Sequence, residues 1–284
     1  MLSKILVPVR GDGMKETVVS HAAALAKRHQ SHLVVAHCRT NPEEFAPFSR
    51  HLPSFARDTF VQQAQELADQ QEEQLRQELH TLAERHSLSE TDAPDGDKAT
   101  VAFIEEHGTM ADVIKHHGRL ADLIVVAKPD RDRNLGTNSL KSGLFRTGRP
   151  VLMCPRNGET APDLGENIAI GWNGSLEAAR SVALTLDLVA AAKSVTILAG
   201  GKGEPHGATA EELVAYYGLR GIEAKVTRFE DRNPGAALLR KTTEAGASLL
   251  VMGAYGQSHE RETLFGGNTQ TVVDTAEIPV VLVH

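Results

Sequence analysis

Short unbroken runs of apolar residues punctuate this chain, and stretches with three- and four-residue apolar spacing lie between them. Near the start, Ile5-Leu6-Val7-Pro8-Val9 ends in the polar turn Arg10-Gly11-Asp12 and leads into an alanine-rich helical stretch. Much later, Ile168-Ala169-Ile170-Gly171-Trp172 ends in Asn173-Gly174-Ser175 and does the same. Two further blocks recur in the same order. Ala121-Asp122-Leu123-Ile124-Val125-Val126 matches Ala247-Ser248-Leu249-Leu250-Val251-Met252, and Arg149-Pro150-Val151-Leu152-Met153 matches Ile278-Pro279-Val280-Val281-Leu282. Three matched blocks in one order mark an internal repeat. The 284 residues then divide into two domains of roughly 140 residues each, an ordinary domain size. The division predicted is 1–156 and 166–284. Between them, Arg156 to Glu166 supplies turn residues and no apolar period.

In the second domain the pattern predicts strands near 167–172, 194–199, 223–229, 248–252 and 279–283, and helices near 175–190, 208–219, 234–245 and 267–275. Nearly continuous apolar strands alternating with helices imply a parallel sheet covered on both faces. The fold class predicted is therefore α/β: two tandem flavodoxin-like, doubly wound domains, each a five-stranded parallel sheet with helices on both faces. The first copy is enlarged. From Asp58 to Arg85, the apolar positions Phe60, Val61, Ala64, Leu67, Ala68, Leu75, Leu79 and Leu82 follow one helix face, which predicts a long second helix. Before it, Thr40 to Arg57 reads as a loop packed by its own Phe45, Phe48 and Phe55. The closing strands Val151 to Cys154 and Val280 to Val283 would leave bare sheet edges. They are expected to meet and form an intramolecular pseudo-dimer, with further homo-oligomers open.

Composition narrows the function. A formal charge of −7 opposes general nucleic-acid binding, which needs clustered Lys and Arg. No apolar run approaches the roughly 20 residues of a membrane span, so neither secretion nor insertion is expected and a cytoplasmic location is. Cys38 and Cys154 stand in or beside apolar runs with no zinc spacing, and read as small core residues. His116 and His117 are adjacent and diverge by about 100° on a helix, which suits chelation poorly. No structural metal is predicted.

The chemistry concentrates after the strand ending at Met252. Gly253-Ala254-Tyr255-Gly256 is followed by nine residues and then by Gly266-Gly267-Asn268-Thr269 at a helix start. Glycines let backbone turn sharply and approach a ligand, and free N–H groups at a helix start face an anion. If the first and fourth strands of the repeat are neighbours, Asn173, Gly253, Gly256, Gly266, Gly267 and Thr269 line one crevice at the carboxyl ends of the strands. This spaced run resembles the G-x2-G-x9-G-[ST] signature of ATP-binding universal stress proteins, and Ile278 to Leu282 is similar to their closing strand. The resemblance extends to both halves in outline, as in the family's tandem type.

It implies ATP or a related nucleotide, with Mg²⁺ accompanying ATP, held by Trp172, Asn173, Gly253, Gly256, Gly266, Gly267, Asn268 and Thr269. Two positions depart from the family pattern. Asn173 stands where an acidic residue is usual, and Gly267 where a hydroxyl residue is; Thr269 offers a hydroxyl two residues later. In the first copy Ala127-Lys128-Pro129-Asp130 replaces the glycine turn, Pro129 has no N–H to donate, and Gly136-Thr137-Asn138-Ser139 is out of spacing. That copy reads as mainly structural, with Lys128, Arg131 and Arg133 forming a solvated basic loop in the favoured reading and an anion site in the alternative.

Gly200-Gly201-Lys202-Gly203-Glu204 lacks the hydroxyl after Lys that a phosphate-binding P-loop requires, and no nucleophile elbow occurs. No catalytic residue is assigned. The readings are a nucleotide-responsive stress or signalling protein, an interaction protein that keeps the fold without binding nucleotide, and, more weakly, a slow ATPase.

Overall fold

The computed structural model describes residues 2–9, 13–39, 54–94, 96–130, 132–133, 135–156, 159–200, 207–256 and 267–284. In chain order the first half contains β1 (Lys4–Val9), α1 (Lys15–His29), β2 (His32–Arg39), α2 (Ser54–Arg85), β3 (Ser89–Glu90), β4 (Thr100–His107), α3 (Met110–Gly118), β5 (Leu123–Ala127), α4 (Thr137–Arg146) and β6 (Val151–Cys154). The second half contains β7 (Asn167–Trp172), α5 (Leu176–Leu184), α6 (Leu186–Ala190), β8 (Ser194–Gly200), α7 (Ala210–Gly218), β9 (Ala224–Phe229), α8 (Pro234–Glu244), β10 (Leu249–Gly253), α9 (Gly267–Thr275) and β11 (Val280–Val283).

The second half follows the predicted pattern closely, with one difference. The single helix expected over 175–190 is divided at Thr185, whose backbone leaves helical geometry (φ −111°, ψ 13°). Its hydroxyl donates to the Ser181 carbonyl at 2.6 Å. A Thr side chain bonded back to the preceding turn competes with the helix ladder and bends it.

Among the described residues the strands form one sheet in the order β3-β4-β2-β1-β5-β6-β11-β10-β7-β8-β9. Setting aside the two-residue β3, each half runs third, second, first, fourth, fifth, the doubly wound arrangement. All pairs are parallel except β6 with β11, which are antiparallel. There Leu152 lies opposite Val281, Val151 opposite Leu282 and Met153 opposite Val280. Leu152 and Val281 hold equivalent places in their halves, so the seam is self-complementary, as at a two-fold dimer interface.

The cores do not stop at that seam. On one face Leu25 and Val19 of α1 share a continuous cluster with Leu188 of α6 and Leu213 of α7. On the other, Leu140 and Leu144 of α4 join Leu238 of α8 and Val272 of α9. Arg28 adds polar ties across the halves, donating to Glu166 Oε1 at 3.0 Å and to the Ala191 carbonyl at 2.7 Å.

The long helix forms as the periodicity requires, and its apolar stripe is used unevenly. Leu79, Leu82 and Ala83 are buried, whereas Leu67 is 56% exposed. The aromatic-packed loop expected from Thr40 to Arg57 lies, as far as Pro53, outside the described residues. Cys154 is fully buried, and burial pushes its thiol pKa up. Cys38 is half-buried, with its Sγ donating to the Gly108 carbonyl at 2.7 Å.

Candidate functional site

β7 and β10 are adjacent, with Met252 opposite Gly171. A first and a fourth strand thus end side by side, at the position where connections diverge to the two faces and leave a crevice. The turn after β7 is built locally. Asn173 is exposed, and its Oδ1 accepts the Ser175 N–H at 3.1 Å. Ser175 Oγ in turn accepts the Ala178 N–H at 3.2 Å and caps α5. Gly174 adopts φ +73°, and a Cβ there would stand 2.9 Å from the Gly207 nitrogen, so this turn rests on the backbone leading into α7.

Trp172 is set apart from the crevice. It is 8% exposed, packs in the α5/α7 layer and donates its Nε1–H to the Ala208 carbonyl at 2.9 Å. Strand alternation explains this, since Trp172 and Asn173 point to opposite sides.

Gly253 closes β10 directly beneath α5. A Cβ on it would lie 2.5 Å from the Glu177 carbonyl carbon and 2.6 Å from the Ala178 nitrogen. A Cβ at Gly256 would instead meet the Glu177 carboxylate, the movable end of a side chain. Between them Tyr255 takes a left-handed conformation (φ 57°) and donates its N–H to Thr269 Oγ1 at 3.2 Å, tying the glycine turn to the first turns of α9. Thr269 is 9% exposed, while Gly267 and Asn268 are exposed at the helix start. The Asn173 turn, Gly253, Gly256 and Thr269 are thus brought around the start of α5. Gly267 and Asn268 open α9, and Gly266 lies outside the described residues.

Glu177 was not singled out from the sequence. An acidic residue in the first turn of a helix is common on dipole grounds alone. Only the adjacency of β7 and β10 reveals that its carboxylate reaches the glycine turn.

The first-half crevice differs in several physical details. Nine residues separate β5 from α4, where thirteen separate β10 from α9. Pro129 occupies the place of Tyr255, and Ser139 that of Thr269. Pro129 has no N–H to give, and Ser139, 5% exposed, has an Oγ without a hydrogen-bond partner among the described residues. Nor is the basic loop simply solvated. Lys128 Nζ crosses to the second half and donates to the Ala276 carbonyl at 2.9 Å, and burial lowers its ammonium pKa. Arg156 and Arg133 both face Asp130, at 2.9 and 3.8 Å. Arg131 lies outside the described residues.

Among the described residues no group of three or more His, Cys, Asp or Glu is arranged to hold a metal ion. His32 instead bonds Thr100 Oγ1, and His117 bonds Glu106, each at 2.8 Å. No described helix is long and apolar enough to cross a membrane.

Fold and turn together define a tandem, doubly wound α/β protein with a glycine turn at its second switch point. The sequence model of the universal stress protein family matches residues 1–137 and 167–284, and the chain belongs to that family. Its fold is similar to that of a universal stress protein from Archaeoglobus fulgidus DSM 4304, with TM-score 0.72 and 17% identity, over 99% of this chain and 95% of that one. It is also similar to a putative universal stress protein from Pseudomonas aeruginosa UCBPP-PA14, with TM-score 0.54 and 18% identity, over 99% and 93% of the two chains. No curated protein sequence matches the chain.

Proposed function

We propose that this chain is a nucleotide-responsive stress or signalling protein of the cytoplasm. In this reading it takes ATP or a related nucleotide at the carboxyl ends of β7 and β10. The observation that carries the reading is the tie from Tyr255 N–H to Thr269 Oγ1. It sets a turn edged by Gly253 and Gly256 against the first turn of α9, and the N-terminal end of a helix, through its N–H groups and dipole, favours phosphate. Asn173 is positioned to exchange its bond to Ser175 for one to ribose or base. Trp172 acts from behind the wall, through Ala208, and not by contact.

Glu177 gives this site a charge rule of its own. Its carboxylate against Gly256 repels bare phosphate, yet it is also the hard oxygen donor that Mg²⁺ accepts alongside phosphate oxygens. Glu177 would therefore help hold magnesium that accompanies the nucleotide, and the ion would supply charge neutralisation for the phosphates. The competing reading, an interaction protein without nucleotide, draws its support from the same carboxylate, which already fills the space beside Gly256.

Denaturing extraction of the purified protein followed by mass spectrometry should release nucleotide. Calorimetric titration with ATP should give saturable heat that depends on Mg²⁺, accompanied by a change in Trp172 emission. Gly256→Val should weaken binding about tenfold or more, corresponding to about 1.4 kcal/mol, and Glu177→Gln should make the remaining affinity of the otherwise native site independent of Mg²⁺. Absence of copurified nucleotide, heat and emission change would leave the interaction reading in its place.

A further inference from the structure

The two halves grip each other at the two crevices, and the grip is reciprocal. Tyr255, in the glycine turn of the second half, packs its ring against Phe145 near the end of α4 in the first half, with centroids 5.5 Å apart. His284 braces the pair, edge-to-face on Phe145 at 4.8 Å and bonded through Nδ1 to the Ala254 carbonyl at 3.1 Å. In the opposite sense, Lys128 follows β5 of the first half and donates to the Ala276 carbonyl just beyond α9, where a cation also meets the negative end of the helix dipole. The first half thereby touches the second-half glycine turn directly through Phe145 and holds α9, whose start borders that turn, from its opposite C-terminal end through Lys128.

We infer that the first half has become a clamp that positions the second-half crevice, with Phe145 and Lys128 setting the geometry of the turn at Tyr255 and of α9 at Thr269 without touching ligand. The effect on affinity rests on the nucleotide reading given above; the effect on geometry does not. Clamp and crevice meet at the Tyr255-to-Thr269 bond, which needs both the turn and the helix in place. The first copy has no such bond, because Pro129 and Ser139 cannot form it. The loss of the glycine turn in that copy is then compatible with a gained task, since Lys128 stands in the place of Ala254.

Amide hydrogen exchange on the full chain, followed at Tyr255 to Gly256 and at the first turns of α9, tests the geometry. Phe145→Ala and Lys128→Met should each speed exchange there by about fivefold or more. Phe145→Tyr and Lys128→Arg, which keep ring and charge, should restore protection. The same pairs should weaken and restore Mg·ATP affinity by a matching factor, with exchange in β8 unchanged. Exchange at the turn that stays at the wild-type rate in both loss variants overturns the clamp. So does general acceleration, β8 included, that the conservative variants fail to reverse. A wild type that binds no nucleotide removes the proposed function, while the exchange rates still decide the clamp.

Discussion

Gly253→Val is expected to cost about 3 kcal/mol or more of folding stability and to abolish nucleotide binding together with it. The reason is the identity of the atoms that a Cβ would meet. They are the carbonyl carbon of Glu177 at 2.5 Å and the backbone nitrogen of Ala178 at 2.6 Å, not the tip of a movable side chain. Main chain in the first turn of a capped helix yields only if the whole helix shifts. A shift of α5 would break the Ser175 cap and pull Glu177 from Gly256. Urea unfolding followed by tryptophan emission, with calorimetry on the folded fraction, checks both consequences. Gly253→Ala should lie between wild type and valine. A wild-type midpoint for the valine variant would mean that β10 and α5 do not pack as described.

The second large effect is expected at the seam. Leu282 is fully buried, sits opposite Val151 and belongs to the core cluster that runs through both halves. Leu282→Asp would place a carboxylate there without a partner, a change expected to cost about 4 kcal/mol or more. Because the cores are continuous, the damage should spread beyond the second half. Exchange protection should fall in β5 and β6 of the first half as well as in β10 and β11, whereas two independent domains would show loss only in the half that carries the substitution. Leu282→Ala, which makes a cavity without burying charge, should cost about 2–4 kcal/mol. Native protection in β5 of the Leu282→Asp variant would show that the halves are energetically separate.

Much of this architecture could be read from the chain because its determinants are local and repeated. A run such as Leu249 to Met252 is apolar throughout, so it has to be covered on both faces, and its recurrence at Leu123 to Val126 carries the inference to the other half. The glycine turn was legible for a similar reason, since Gly253 and Gly256 stand at fixed distance from a strand end. What could not be read depends on contacts between remote segments. Nothing around Glu177 announces that its carboxylate will meet Gly256, 79 positions away in sequence. Lys128 looked like a surface cation because its acceptor, the Ala276 carbonyl, is a backbone group with no residue signature. The division of α5 from α6 shows a third limit. A single hydroxyl at Thr185 outweighs an apolar period that runs through it.

The flanks of the sheet have a consequence for behaviour at high concentration. An uncovered ladder of strand N–H and C=O groups can template the addition of another chain, and charged side chains or truncated strands suppress this. One flank here is the two-residue β3, which among the described residues pairs only Thr100 and Val101 of β4; past that pairing β4 carries Glu105, Glu106 and His107. The other is β9, which exposes Lys225 and Arg228. The apolar closing strands, whose bare edges would otherwise recruit copies, are consumed by each other inside one chain. Accumulation to high levels should therefore leave the protein resistant to fibre growth by strand addition, and larger assemblies would have to form through its helical layers.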